Sequence, residues 1–108
     1  MSRIVTIAAW HDHWNREVFN DKLSTPGFGI IRSHHTDGYY EHYPGRKKKG
    51  YIRISKYCFE DEDLLRGTIL HEMIHQWQFE IMGLSCDHDA TFKSFAKKME
   101  RIYRIQVR

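Results

Sequence analysis

The chain has 108 residues, and 17 Lys and Arg against 14 Asp and Glu leave a formal charge of +3 with histidine neutral. That length suits one domain spanning residues 1–108, and 41% hydrophobic with 29% charged residues is the composition of a folded chain, which excludes intrinsic disorder. No apolar run approaches the roughly 20 residues a membrane span needs, and the start, interrupted by His11-Asp12-His13, does not read as a signal peptide.

Over about residues 5–20, Ile7, Trp10, Trp14 and Val18 recur at spacings of three and four, one apolar face of an amphipathic helix. Asn20-Asp21 and Ser24-Thr25-Pro26-Gly27 then turn the chain. Phe28 to His35 reads as a strand, Thr36-Asp37-Gly38 as a tight hairpin, and Tyr39 to Tyr43 as its return strand. After the basic run Arg46-Lys47-Lys48-Lys49, Tyr51 to Ser55 alternates apolar and polar like a half-buried strand. Glu60-Asp61-Glu62-Asp63 gathers negative charge where a helix start favours it. Leu70, Ile74, Trp77 and Ile81 follow at helical spacing, with Gly83 as the stop. Phe92, Phe95, Ala96, Met99, Ile102 and Tyr103 line one face of a last helix, with Lys93, Lys97, Lys98 and Arg101 opposite. The expected architecture is a single α+β domain, in the order helix, three-stranded antiparallel sheet, helix, helix.

Two cysteines, Cys58 and Cys86, are too few for a disulfide framework and point to a reducing, cytoplasmic or otherwise intracellular setting. Eight histidines are many for this length, and histidine is the commonest metal ligand. Two of them flank His71-Glu72-Met73-Ile74-His75. Positions four apart lie one helical turn above each other, so His71 and His75 can grip one ion. Glu72 projects about 100° around the axis from His71, beside such an ion without binding it. Zinc makes water acidic near neutrality, and a carboxylate there can take the proton and later deliver it to a leaving amine. Lone helical histidines are more often surface or satisfied core residues. Here, however, Leu70, Met73, Ile74 and Trp77 crowd the motif, and burying two imidazoles and a carboxylate is costly unless a cation pairs with them.

A catalytic zinc takes three protein ligands and keeps one position open. The positions where metzincins carry a glycine and a third histidine are Gln78 and Ile81, which excludes that class. His88, the one histidine downstream of His75, is favoured as third ligand. Asp87 and Asp89 are rivals whose ordinary role is helix capping, and Glu100 lies deep in the last helix. Cys86 is a further rival, more simply read as a small buried thiol.

His71-Glu72-Met73-Ile74-His75-Gln76-Trp77 with Cys86-Asp87-His88-Asp89-Ala90-Thr91-Phe92 resembles the SprT-like metallopeptidase family, which includes the Spartan proteases of DNA–protein crosslink repair. Trp14-Asn15 and Phe19 to Leu23 resemble its first helix, and Gly50 to Ser55 the strand before its metal helix. The resemblance spans most of the chain, and only the metal motif is specific. It implies a zincin-like fold, one zinc ion held by His71, His75 and His88, Glu72 as catalytic base, a protein substrate, and DNA-associated proteins among its targets. Two departures stand out. Asp87 and Asp89 replace the glycines that commonly flank the third histidine, and two cysteines cannot form the zinc ribbon many members add, which implies a minimal catalytic domain.

Arg46, Lys47, Lys48 and Lys49 form a candidate nucleic-acid contact, with Tyr39, Tyr40, Tyr43 and Tyr51 near enough in sequence to stack on bases. The plainer reading is a solvated loop over packed tyrosines. No spacing ties His11, His13, His34, His35 or His42 to the ion, although one of them could steady an oxyanion. The leading expectation is therefore a zinc-dependent endopeptidase with no membrane association. The alternative is a non-catalytic zinc-containing module that binds DNA or protein, against which the carboxylate of Glu72 speaks. Hydrolysis of a non-peptide amide is a third reading, because the motif specifies the chemistry more closely than the substrate.

Overall fold

Helix α1 (Arg3–Phe19) begins where the Ser2 side chain accepts a hydrogen bond from the Val5 N–H, and ends at Asn20 in the left-handed conformation. This is seen in a computed structural model that describes residues 2–43 and 50–107. The face of α1 toward the core carries Ile7, His11, Trp14, Asn15 and Phe19, so two polar residues join the expected apolar stripe. Trp14 is buried and its Nε1–H donates to the Arg66 carbonyl at 3.1 Å, which fixes α1 against a later helix.

The sheet departs from expectation. Strands β1 (Gly27–Ile31), β2 (Gly38–Glu41) and β3 (Tyr51–Ser55) lie in the order β1-β3-β2. β1 runs parallel to β3 and β2 antiparallel to it, so the sheet is mixed rather than antiparallel. Thr36-Asp37-Gly38 is accordingly not a tight hairpin. The chain between β1 and β2 passes over the end of β3, held by Ser55, whose N–H donates to the Asp37 carbonyl and whose hydroxyl donates to that of Ser33.

The physical reason lies in β3. Ile52 and Ile54 are wholly buried, so its backbone is paired on both edges, and core burial outweighs a local turn signal. Gly38 serves a different need from the one expected: a Cβ there would sit 2.7 Å from the Arg53 carbonyl oxygen, so the glycine allows close strand approach. Both outer strands are also shorter than the sequence suggested, ending at Ile31 and Glu41.

A short 3-10 turn (Lys56–Glu60) leads into helix α2 (Glu62–Glu80), whose first N–H groups at Asp63 and Leu64 are capped by the Asp61 carboxylate. α2 is buried on most of its circumference. Gly83 adopts φ +65°, and just beyond it the Leu84 N–H closes back on the Gln78 carbonyl at 2.8 Å, the turn expected there. Helix α3 (Ala90–Tyr103) is capped by Asp89, which accepts from the Phe92 N–H. Phe92, Ala96 and Met99 face the core, whereas Ile102 points outward, contrary to expectation. The result is a small α+β domain with three helices and a mixed three-stranded sheet, α2 at its centre. No helix is long and apolar enough to cross a membrane among the described residues.

Candidate metal centre

α2 carries His71 and His75 one turn apart, and the 81–89 segment folds back so that His88 meets both. Nε2 of His88 lies 3.1 Å from Nε2 of His75 and 3.0 Å from Nε2 of His71. Phe92, in the first turn of α3, lies against all three rings with centroids 4.7–4.8 Å away. The helix cap at Asp89 and the aromatic ring at Phe92 thus seat the loop that brings His88 in.

Three ring nitrogens facing one another are poorly matched in hydrogen-bonding terms. A single N–H on one ring can serve one of the two close contacts, leaving a lone pair of another ring aimed at no donor. Protonating the rings does not help, because burial holds His71 down to about 3 and lowers His75, and the neighbouring imidazoles push the same way. His71 and His75 are therefore neutral at ordinary pH, the state in which imidazole ligates metals. A divalent cation with nitrogen ligands at about 2.0–2.1 Å separates those ligands by little more than the two distances from His88, and the three ligand atoms all lie within 4.8 Å of one another. The donor set fits a metal ion.

Glu72 is buried beside these nitrogens and outside the triad. Its Oε2 lies 3.9 Å from Nε2 of His71, and it receives a hydrogen bond from the main-chain N–H of Tyr40 on β2. Burial pushes its carboxyl up to about 8 despite that bond. A cation seated among the imidazoles would favour the carboxylate and draw the value back down. His75 is held on its far side, with Nδ1 2.8 Å from Oε1 of Gln78, whereas Nδ1 of His71 is buried without a hydrogen-bond partner.

The other sequence candidates make contacts of their own. Asp87 accepts from the His88 N–H, Asp89 caps α3, and the Glu100 carboxylate accepts from the Val107 N–H. None of the three groups with the imidazole triad. Cys86 and Cys58 are free thiols, and Cys86 donates to the His75 carbonyl at 3.3 Å. His11 pairs with Gln76, His34 stacks on Tyr57, and His42 stacks on Phe79 with centroids 3.8 Å apart. Tyr39 and Tyr51 flank Arg53 on the sheet, which pairs with Glu41. The basic run Arg46–Lys49 lies outside the described residues.

The chain matches the model of the SprT-like family over residues 7–108. It belongs to the SprT-like family. No curated protein gives a match to it. Family membership, associated with metallopeptidase-type proteins, agrees with a histidine triad able to hold a metal ion. Two SprT-like site neighbours escaped the reading of the sequence. Gln78 and Tyr40 touch His75 and Glu72, and neither left a signal, because the burial of Gln78 and the approach of β2 to α2 are properties of the fold.

Proposed function

We propose that this SprT-like domain is a zinc-dependent endopeptidase in which His71, His75 and His88 hold one ion and Glu72 is the general base and acid. The observation that carries this reading is the placement of one buried carboxylate, 3.9 Å from a triad nitrogen yet outside the triad. A structural metal site gains nothing from such a group and is usually closed by a fourth protein ligand. Bound zinc supplies Lewis acidity, polarising a peptide carbonyl and making water acidic near neutral pH.

The chain's own residues do the rest. The Glu72 carboxylate accepts a proton from the attacking water at one oxygen and returns it to the departing amide nitrogen. The Tyr40 N–H holds the carboxylate in orientation, and Phe92 packs the three rings into a fixed set. Proteins associated with DNA are the proposed substrates, with the basic run Arg46–Lys49 as the contact to nucleic acid.

The test is incubation of the purified protein with an unstructured protein, with and without single-stranded DNA, before and after chelation. Cleavage that disappears with chelator and returns with zinc supports the reading, and a requirement for DNA supports the substrate class. A protein that binds zinc at the triad yet cleaves nothing under any of these conditions is a binding module, and the proposal falls.

A further inference from the structure

Gln78 is wholly buried one turn beyond His75, and its carboxamide makes contacts in two directions. Nε2 donates to the Asp87 carbonyl at 2.9 Å and to Oδ1 of Asp89 at 3.3 Å. Oε1 lies 2.8 Å from Nδ1 of His75 and accepts from the Asp87 N–H at 3.3 Å. A carbonyl oxygen can only accept, so the Asp87 carbonyl dictates which end of the amide is NH2. The amide oxygen must then face His75, and Nδ1 of His75 must carry the proton. Its Nε2 is left as a lone pair directed at the triad. The same amide holds the main chain on the N-terminal side of His88 and the carboxylate on its C-terminal side, and that carboxylate caps the helix bearing Phe92.

Resting on the metal-site reading above, we infer that Gln78 is the positioning residue of the centre, one carboxamide that both sets the His75 tautomer and delivers the His88 loop. Its hydrogen-bonding capacity is used on both sides, which neither a carboxylate nor an apolar side chain can reproduce. Glutamate keeps the acceptor for His75, loses the donor to Asp87, and places a negative charge against Asp89. Methionine fills the space and loses both functions.

Cobalt(II) alone, titrated into the full chain, is the probe, read by its visible d–d absorption and its affinity. Loss of an outer partner of this kind typically costs about 10–100-fold in metal affinity, and that drop is expected for Gln78→Met. Gln78→Glu is expected to weaken cobalt binding in the wild-type background and to have no effect in a His88→Ala background, since its damage runs through that loop. Nitrogen-15 NMR of the metal-free wild-type chain is expected to show His75 as the Nδ1–H tautomer. An Nε2–H tautomer there overturns the inference even if no variant folds. So does wild-type cobalt affinity and absorption in folded Gln78→Met and Gln78→Glu. If the wild-type chain takes up cobalt no better than His71→Ala, the metal-site reading has failed instead.

Discussion

The two polar faces of α2 are built on opposite principles. On one, His11 meets Oε1 of Gln76 at 2.9 Å, and the Gln76 amide donates to the Ser24 carbonyl and to Glu80, whose carboxylate accepts from the Ser24 N–H and hydroxyl. Every donor there finds an acceptor, so the network is complete in itself. On the other, three imidazole nitrogens converge with too few protons to pair them, and a carboxylate stands alongside. The first face spends buried polarity on holding α1, the turn at Ser24 and α2 together. The second keeps its polarity unmatched, which a folded protein tolerates where a ligand completes it.

The largest expected difference between the faces is in catalysis. Glu72→Gln, nearly the same size and uncharged, is expected to lower peptide cleavage by roughly 10²–10⁴-fold while zinc content, measured on the purified protein, stays at the wild-type level. Equal turnover by the variant would remove Glu72 from the mechanism. Next comes His88→Ala, expected to weaken zinc by more than the ~100-fold that an outer partner can cost. Zinc at about a thousandfold above its dissociation constant stabilises a folded site by about 4 kcal/mol, so thermal melts with and without zinc should separate for wild type and converge for this variant.

Breaking the complete face should do the reverse. Gln76→Leu strands His11 and the Ser24 carbonyl, and an unpaired buried polar group costs about 1–3 kcal/mol. Urea denaturation should show that loss, with metal affinity holding in the protein that remains folded. A drop in affinity as large as that of His88→Ala would mean the two faces are one unit.

The smallest effect is a pH dependence that both faces share. His11, His71 and His75 all have folded values below the ordinary 6.5, chiefly through burial. Through these three rings the unfolded state of the metal-free chain binds more protons as pH falls through about 6.5, and the stability they contribute above that pH is progressively lost below it. Glu72, raised to about 8, works the other way, because its folded carboxyl keeps a proton that the unfolded one releases. In Glu72→Gln, which removes the opposing group, denaturant midpoints at pH 7.5 and 5.5 should fall in that order, and adding His11→Gln should make the decline shallower. A midpoint of Glu72→Gln unchanged over that range would mean the rings titrate as freely as in the unfolded chain.

Much of this was legible before any fold was in hand. Helical spacing and the His71-Glu72-Met73-Ile74-His75 motif needed only local geometry, because a helix turn puts positions four apart on one side whatever surrounds it. The acidic start of α2 and the stop at Gly83 are likewise local, written in capping chemistry. Strand order was not legible. Asp37-Gly38 signals a turn, but which strand takes the central position depends on where Ile52 and Ile54 are buried, a property of the assembled core. Nor did periodicity show that His11 and Asn15 sit inside while Ile102 faces out. His88 was already favoured from the sequence as the partner of the α2 pair, whereas the Tyr40 N–H on Glu72 and the clamp at Gln78 join residues distant along the chain or across a turn. Sequence determined the helices and the residue types able to hold a metal; the tertiary structure alone decided their meeting, because distances across a fold are set by packing between elements and not by spacing within one.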